Sequence, residues 1–305
     1  MTVAQLGLRC PTCGAELVEH DDEYRCDRGH VWPVLGGIPR FVERPKGGLG
    51  QIQDAFDFEH RRYRDSAHTR FGPQLVEQFL EDCKLPAEFF RGQRALDAGC
   101  GSGRWTYALA ELGADVTAFD LTAGGIEAAY EELQDRPNVR VLQANIFESP
   151  FQEESFDYVM SWGVLHHTPN TRAAFGRLVP LVRRGGALYV MVYERYERLR
   201  MLGTDTLRLV LRRLSAERRY RFCRRLIVRD RRLCAVAGKF VTVAYGGSGL
   251  DRETMQFGLY DAYSPRYNHV HTANEVVGWF TESGFRDIEV VGAGLGNVRV
   301  RGRRV

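Results

Sequence analysis

The residues with the clearest chemical pattern combine one acid with three alternating glycines. From Ala95 the sequence reads ALDAGCGSGRW, so a short apolar segment ends at Asp97 and is followed by Gly99, Gly101 and Gly103. Glycines at these positions remove every Cβ that would hold a ligand away from the backbone where a strand turns into a helix. The pattern therefore predicts a nucleotide-type binding site at the end of a strand.

The spacing of the glycines argues against a dinucleotide site. Such a site uses G-x-G-x-x-G, but counting from Gly99 places Arg104 at the last glycine position, and counting from Gly101 places Thr106 there. Asp97 would also repel the pyrophosphate that a helix N-terminus holds in those sites. It suits a ligand with a cationic amino-acid end, such as S-adenosylmethionine (SAM). The stretch resembles motif I of the class I SAM-dependent methyltransferases.

A second acid stands at the spacing that such a fold needs. The segment from Asp115 to Phe119 reads as a strand and ends at Asp120, about twenty residues after the glycines, where a ribose-binding carboxylate is expected. Strands and helices then alternate, which predicts a parallel sheet. The resemblance implies a Rossmann-like α/β fold with a seven-stranded sheet. The cofactor-binding residues that it implies are Asp97, Gly99, Gly101, Gly103, Asp120, Leu121, Asn145, Ile146 and Trp162.

Asn145 departs from the family pattern. It follows the third predicted strand of the sheet, where the family usually has an aspartate that accepts a hydrogen bond from the adenine amino group. The amide oxygen of Asn145 can still accept that bond. The substitution therefore changes the charge at this position and leaves the predicted contact possible.

The loop after the fourth predicted strand bears on the type of reaction. Enzymes that methylate adenine or glutamine amides typically carry an Asn/Asp-Pro-Pro-aromatic motif here, and residues 162–170 lack it. Residues 164–169 read Val-Leu-His-His-Thr-Pro, which resembles the ubiquinone/menaquinone-type and related small-molecule methyltransferases. His167 is a candidate general base for a hydroxyl or an acidified carbon, because imidazole titrates near neutral pH. The alternative is that His167 only holds the loop.

Two helices, over residues 51–66 and 73–83, are predicted before the sheet. In the first, Phe56, Glu59, His60 and Tyr63 fall at helical spacing. Members of the family often use such a leading helix to close over SAM. A plain packing face is the alternative interpretation of these four positions.

The N-terminal region carries a metal-ligand pattern. Cys10, Cys13, Cys26 and His30 form a C-x2-C…C-x3-H array, whose thiolates and imidazole can complete a tetrahedral zinc site. Four protein ligands leave no position open for water, so the predicted role of Zn2+ is structural. Residues 1–44 are predicted to form a small zinc ribbon, and Pro and Gly in residues 44–50 indicate a linker to a methyltransferase domain over residues 51–305.

About eighty residues separate the fifth predicted strand from the next core element, too many for a simple loop. Residues 194–271 are therefore predicted to form a helical cap over the substrate pocket. Leu207, Val210, Leu211 and Leu214 indicate an amphipathic helix, and its other face carries Arg208, Arg212 and Arg213. From Arg195 to Lys239 the chain has 15 basic and 4 acidic residues. These arginines could bind an anionic small molecule, an RNA backbone or an anionic membrane, or simply face water.

Polar rings are dense where the chain returns from the cap to the core. Tyr263, Arg266, Tyr267 and His269 are candidate substrate contacts, and an ordered loop without ligands is the alternative. Two last strands are predicted over residues 285–291 and 297–300, and the final one is expected to run antiparallel.

Composition limits the remaining possibilities. The 305 residues are 44% hydrophobic, without a run of 18 apolar residues or a secretory leader pattern, so a cytoplasmic protein is expected. The favoured function is SAM-dependent methyl transfer to an oxygen or carbon of a small molecule. One alternative is an rRNA or tRNA base methyltransferase, since the zinc-ligand spacing is similar to that of the large-subunit rRNA guanine-N1 methyltransferases. Another is a SAM-binding protein without catalytic activity. The sequence leaves the oligomeric state open.

Overall fold

The architecture is taken from a computed structural model that describes residues 7–43, 47–63, 71–294 and 296–305. Part of the predicted linker, residues 44–46, and the predicted end of the first helix, residues 64–66, lie outside the described residues. The strands are β1 (Val18–His20), β2 (Glu23–Arg25), β3 (Val31–Leu35), β4 (Ile38–Phe41), β5 (Arg94–Ala98), β6 (Asp115–Asp120), β7 (Val139–Ala144), β8 (Phe156–Trp162), β9 (Val182–Tyr193), β10 (Ile227–Val228), β11 (Ala244–Tyr245), β12 (Phe285–Gly292) and β13 (Asn297–Arg304).

Ten α-helices occur among the described residues. They are α1 (Gly48–Arg62), α2 (Pro73–Cys83), α3 (Arg104–Glu111), α4 (Ala123–Leu133), α5 (Thr171–Leu178), α6 (Arg198–Leu211), α7 (Ala216–Cys223), α8 (Arg231–Ala237), α9 (Arg252–Tyr263) and α10 (Ala273–Glu282). Short 3-10 turns occupy Ala87–Phe90, Ile146–Glu148, Leu165–His167, Val179–Leu181 and Arg224–Leu226.

Seven strands form the central sheet in the order β7-β6-β5-β8-β9-β13-β12. The strands β5 to β9 are parallel, whereas β13 runs antiparallel to both β9 and β12. Asp97 lies opposite Ala118 of β6 and Met160 of β8. The carboxyl ends of the parallel strands therefore meet at one edge. The predicted α/β class, the seven-stranded core and the antiparallel last strand are confirmed.

The two faces of the sheet are covered by different helices because side chains alternate along each strand. Leu96 and Val159 belong to the buried cluster that includes α5 and α10. Ala95 and Tyr158 belong to the cluster that includes α2 and α3. This three-layer arrangement leaves the loops after the parallel strands at an edge that the helices do not fill.

The N-terminal ribbon extends the sheet to eleven strands. β4 pairs in parallel with β7, so that Arg40 lies opposite Gln143 and Phe41 opposite Ala144. The buried Arg40 side chain donates hydrogen bonds to Gln143 at 3.2 Å and to Glu127 at 3.1 Å. Buried side chains of the ribbon join the same apolar cluster as the sheet. The ribbon is therefore attached by strand pairing and by a shared core as well as by its connection along the chain.

The insertion after β9 contains the four helices α6 to α9, two more than the two basic helices predicted. Its buried cluster includes Leu211, Cys223 and Leu259 and is shared with Tyr63, the residue directly after α1. The prediction for Arg208 is wrong: this side chain is buried and donates a hydrogen bond to the carbonyl of Pro265 at 2.8 Å. The reason is that α6 packs against α9 through the face that carries Arg208.

No helix in the described part of the chain has both the length and the apolar composition needed to cross a bilayer.

Candidate active site

A cavity of about 460 Å³ opens at the carboxyl ends of the parallel strands, where α1 and the cap helix α9 cover it. Most of the residues predicted to bind the cofactor lie in its wall. Those lining the cavity are Gly99, Gly101, Asp120, Leu121, Asn145, Ile146 and Trp162, and the predicted base His167 lines it as well.

The glycine loop turns between β5 and α3 in a conformation that side chains disfavour. Gly99, Gly101 and Gly103 have φ values of 85°, 53° and 87°, all in the left-handed region. A Cβ on Gly101 would lie 2.9 Å from the His60 ring, so no side chain separates this backbone from α1. Gly103 does not line the cavity. It faces helix α4 instead, where a Cβ would meet the Leu133 side chain at 2.8 Å. The third glycine therefore serves helix packing.

Asp120 ties the end of β6 to the glycine loop. One carboxylate oxygen accepts a hydrogen bond from the Gly101 amide at 2.9 Å. The other accepts from the amide of Thr122 at 2.8 Å and from its hydroxyl at 2.7 Å. These three bonds fix the carboxylate at the cavity wall and leave lone-pair capacity on it for a further donor.

Asp97 does not line the cavity, contrary to its predicted place beside the cofactor. It is 1% exposed and accepts a hydrogen bond from the Thr106 hydroxyl at 2.7 Å, below the glycine loop. Burial raises the pKa of Asp97 to about 7, and the bond from Thr106 opposes that rise. The side chain therefore connects β5 to α3 from beneath the ligand-facing surface.

The other predicted cofactor residues have defined partners. Asn145 accepts a hydrogen bond from the Phe147 amide at 3.1 Å and donates to Glu148 at 3.2 Å, which fixes the orientation of its amide. The indole of Trp162 donates to Asp82 at 2.8 Å. Both side chains reach the cavity from rigid positions.

Helix α1 closes the cavity from above. It begins three residues earlier than predicted, and its residues Phe56, Glu59 and His60, with Tyr63 directly after it, all line the cavity. The Phe56 ring lies 6.5 Å from His60, which contacts the glycine loop, and 5.2 Å from His167. Burial lowers the pKa of His60 although acidic groups are near. Phe56 therefore lies between the glycine loop and a second, polar region.

We call this second region the polar cluster; it consists of Glu59, His167, Tyr193 and Asp261, and all four residues line the cavity. The Nδ1 atom of His167 lies 3.0 Å from the carbonyl oxygen of Tyr267. Since a carbonyl can only accept, Nδ1 carries a proton and donates it to this bond. In the neutral imidazole, Nε2 then carries the lone pair and is the atom that can accept a proton.

Asp261 faces this nitrogen. Its carboxylate lies 3.5 Å from Nε2 of His167 and accepts a hydrogen bond from the Tyr193 hydroxyl. Burial alone would raise the pKa of Asp261, but His167 and the Tyr193 hydroxyl outweigh burial and hold that pKa below its ordinary value. A charged Asp261 is thus positioned to stabilise a protonated His167.

Glu59, the second acidic residue of the polar cluster, has a pKa shifted in the opposite direction from that of Asp261. It is 3% exposed, and its Oε2 atom has no hydrogen-bond partner among the described residues. Burial, followed by the charge of Asp261, raises the pKa of Glu59 well above its ordinary value. The carboxyl group of Glu59 therefore keeps its proton to a higher pH than an ordinary glutamic acid, whereas the pKa of Asp261 beside it is shifted in the opposite direction.

The structure does not bring the four predicted substrate residues into the cavity. Tyr263 is buried inside the cap and donates its hydroxyl proton to the Thr242 carbonyl at 2.7 Å. Arg266 donates to Gln51 at 2.8 Å, on an exposed surface. Tyr267 contributes its backbone carbonyl to His167 and stacks its ring on His269. These residues buttress the loop behind the polar cluster, and a direct role in substrate binding stays a prediction.

Sequence reasoning missed Tyr193 and Asp261. Tyr193 is the last residue of the fifth parallel strand, and that position alone could have marked it, because ligands bind outside the carboxyl ends of such strands. Asp261 opens the polar stretch that the sequence singled out, but only the packing of α9 over the sheet brings it to His167. Glu59 was among the helix positions noted, without an assigned chemistry.

The predicted zinc ligands lie together in the ribbon. One ligand atom from each of Cys10, Cys13, Cys26 and His30 lies within 4.8 Å of the others. The sulfur atoms of Cys13 and Cys26 are 3.8 Å apart, and Nδ1 of His30 is 3.3 Å from the Cys26 sulfur. Tetrahedral bonds of about 2.3 Å to sulfur require sulfur atoms roughly 3.8 Å apart. The donor set and its spacing fit Zn2+.

Several cap arginines donate hydrogen bonds to backbone carbonyls of the protein itself. Besides Arg208, Arg212 donates to the carbonyl of Arg266 at 3.1 Å and Arg219 to the carbonyl of Ser264 at 2.8 Å. These three guanidinium groups hold the loop that carries the carbonyl partner of His167. Part of the positive charge of the cap therefore has a structural role.

Comparison with known proteins agrees with this geometry. Residues 96–190 match the family model described as a methyltransferase domain. The demethylmenaquinone methyltransferase of Staphylococcus aureus (strain MRSA252) is 32% identical over 99 residues, which are 32% of this chain and 41% of that protein. The chain thus spans about two fifths of the length of this curated relative.

A solved structure extends the likeness beyond that segment. The DhpI complex with SAH is similar over 85% of this chain and 97% of that chain, with a TM-score of 0.50 and 17% sequence identity. At this identity the likeness concerns the fold. Residues 96–190, which include the glycine loop, Asp120 and Asn145 of the cavity wall, therefore match a methyltransferase domain, and the likeness to the DhpI structure shows a shared fold.

Proposed function

We propose that this protein transfers a methyl group from SAM to an oxygen or carbon nucleophile of a small molecule. The observation that carries the proposal is one cavity whose wall includes both the glycine loop with Asp120 and the polar cluster with His167. A methyl donor held at the glycine loop would meet a methyl acceptor held at the polar cluster. The volume of about 460 Å³ is of the size that small-molecule sites have.

The residues of the glycine loop fit the cofactor. Gly101 presents bare backbone toward the cavity, and the ring of His60 packs directly against it. Asp120 retains acceptor capacity that suits a ribose hydroxyl, and Asn145 and Leu121 line the wall where the adenosyl part would lie. When bound, SAM supplies an electrophilic methyl group on a sulfonium.

The polar cluster would handle the proton of the acceptor. Nε2 of His167 is free to take a proton from a hydroxyl or an acidified carbon, and Asp261 stabilises the imidazolium that results. The hydroxyl of Tyr193 keeps Asp261 oriented. The carboxyl of Glu59, whose raised pKa favours the protonated form, can donate a hydrogen bond to an oxygen of the acceptor. The remaining rate acceleration comes from alignment of the acceptor atom with the methyl group of the donor.

Labelled methyl transfer tests this function. The purified protein is incubated with methyl-tritiated SAM together with a small-molecule extract of the producing cells, with their total RNA, or with neither. We expect label in the small-molecule fraction, and we expect H167A to abolish it while SAH binding persists. Label in RNA alone would overturn the choice of substrate class. Binding of SAH without transfer to any fraction would favour a non-catalytic SAM-binding protein.

We also propose that Cys10, Cys13, Cys26 and His30 hold one structural Zn2+. Under this proposal residues 1–44 and 51–305 are two sequence units that share one sheet, so that the metal would stabilise the edge next to β7. Elemental analysis should give about one zinc per chain. The C26S variant should lose the metal and lower the thermal unfolding midpoint, whereas C234S, outside the cluster, should keep both. Full zinc content in C26S would contradict the assignment.

A further inference from the structure

The outer surface of the cap exposes an unusual amount of apolar side chain. More than half of the exposed large apolar residues described in the chain lie between residues 199 and 240. Single exposed apolar residues are ordinary on a protein surface, but a contiguous group marks an interaction site. We call this group the cap surface; it consists of Leu199, Leu202, Leu209, Val210, Leu233, Val236 and Phe240.

The members of the cap surface on α6 form one stripe. At about 100° per residue, Leu199, Leu202, Leu209 and Val210 fall within an arc of roughly 100° on the helix. Leu202 is 67% exposed, whereas Arg208 on the opposite face is buried. The helix is therefore amphipathic with its aliphatic stripe turned toward solvent, the reverse of a helix that packs its apolar face inward.

The segment after α8 continues this stripe. Gly203 of α6 contacts the backbone carbonyl of Phe240 so closely that no Cβ could be accommodated. The Thr204 hydroxyl accepts a hydrogen bond from the Thr242 amide at 3.0 Å, which holds the same segment against α6. Phe240 therefore lies beside the α6 stripe, and Leu233 and Val236 precede it on α8 at helical spacing.

Positive charge surrounds the cap surface. Residues 195–239 carry a net charge of +11, while the remainder of the chain is negative. Exposed basic residues flank both helices: Arg198, Arg213, Arg231, Arg232 and Lys239. An aliphatic stripe with basic flanks is the pattern of helices that lie in the interface of a membrane containing anionic lipid.

We propose that the cap surface docks on an anionic lipid bilayer, with the aliphatic stripe of α6 and Phe240 at the boundary between headgroups and acyl chains. A second copy of the chain fits less well, because a two-fold contact would bring the same basic flanks together. An RNA fits less well because the surface is aliphatic apart from Phe240 and offers bases little to stack on. The inference does not depend on methyl transfer.

Vesicle co-sedimentation of the full chain tests the proposal. Vesicles of 70% phosphatidylcholine and 30% phosphatidylglycerol should bind the protein, and pure phosphatidylcholine vesicles should bind it about tenfold less. The variant L202Q/F240Q removes apolar area without adding charge and should reduce binding to the anionic vesicles by about tenfold. L35Q is the matched control, since Leu35 is exposed to a similar degree in the ribbon, and it should bind as the wild type does.

Three results would overturn the proposal. The first is no binding of wild-type protein to the anionic vesicles. The second is equal binding by L202Q/F240Q and wild type when both have the same thermal unfolding midpoint. The third is a dimer in size-exclusion chromatography that L202Q/F240Q dissociates while vesicles bind neither protein, because the occupant is then a second copy.

Discussion

The two sides of the cavity are built in different ways. On the side proposed to hold the cofactor, here called the cofactor side, the ends of neighbouring strands supply backbone atoms of the glycine loop and one carboxylate, Asp120. On the side proposed to hold the acceptor, here called the acceptor side, the four members of the polar cluster come from α1, the turn after β8, the end of β9 and α9. The first side depends on local chain geometry, whereas the second depends on electrostatic coupling between distant segments. Mutations on the two sides should therefore show their effects in different measurements, SAH affinity for the cofactor side and methyl transfer for the acceptor side.

The largest effect is expected at the acceptor side. In H167A we expect methyl transfer into the small-molecule fraction to fall by about a hundredfold or more, because the group that takes the proton is lost. SAH affinity, measured by calorimetry, should change less than about twofold, since His167 belongs to the other side of the cavity. The exposed ribbon residue His20 provides the control, and H20A should transfer at the wild-type rate. A parallel loss of SAH affinity in H167A would mean that the two sides are not separable.

The next effect concerns stability beneath the glycine loop. Burial raises the pKa of Asp97 to about 7, above the value of about 3.9 in an unfolded chain. Between these values the folded protein keeps a proton that the unfolded chain releases, so Asp97 lowers the free energy of unfolding as pH rises from 4 to 7. Relative to wild type, D97N should gain on the order of 3–4 kcal/mol between pH 4 and pH 8. Urea unfolding across this range measures the difference.

The control for that experiment is the exposed Asp135. We expect D135N and wild type to keep a constant difference in unfolding free energy across the same pH range. If D97N behaved like D135N, the Asp97 carboxyl would be charged in the folded protein at pH 5, and the link through Thr106 would be stronger than burial.

The cofactor side itself is tested at Asp120. In D120A we expect SAH affinity to fall by about thirtyfold, because the loss of one charged acceptor and of its bonds to Gly101 and Thr122 costs on the order of 2 kcal/mol. Calorimetric titration measures this, with D135A as the exposed control. Unchanged SAH affinity in D120A would mean that Asp120 does not contact the ligand. The proposed division of the cavity into two sides would then be wrong.

The smallest effect is expected at Glu59. We propose that Glu59 acts as a protonated hydrogen-bond donor, the form that its raised pKa favours. E59Q then replaces one neutral donor by another, and transfer at pH 7 should stay within about threefold of wild type. E59A removes the hydrogen-bond donor and should reduce methyl transfer more than E59Q does. Equal damage from both variants would indicate that Glu59 acts as a charged carboxylate.

The sequence predicted the cofactor side in more detail than the acceptor side. Its pattern is local: a strand, the glycine loop and Asp120 follow one another within about thirty residues, and a parallel sheet fixes where their ends meet. His167 was found because it belongs to the same kind of strand-end loop. Asp97 was placed too close to the ligand because its type and spacing do not reveal that the side chain turns toward Thr106.

The cap is where the prediction was weakest. The amphipathic pattern around Leu207 was recognised, but the buried face of α6 also carries Arg208, whose charge is satisfied by a carbonyl and by Asp205. Binary patterning cannot anticipate such a pairing, because it depends on which loop packs against the helix. The same limitation hid the aliphatic stripe that faces solvent.

The sequence by itself determined the α/β class, the parallel strands with an antiparallel last strand, the glycine loop and the grouping of Cys10, Cys13, Cys26 and His30, because each follows from residue types at short, fixed spacings. The tertiary structure alone decided that α1 covers the cavity, that Asp261 meets His167 and that the ribbon adds its strands to the sheet. Those features join segments up to about two hundred residues apart, such as those carrying Glu59 and Asp261, and the burial that shifts the pKa values of Glu59 and Asp97 exists only once those segments have packed together.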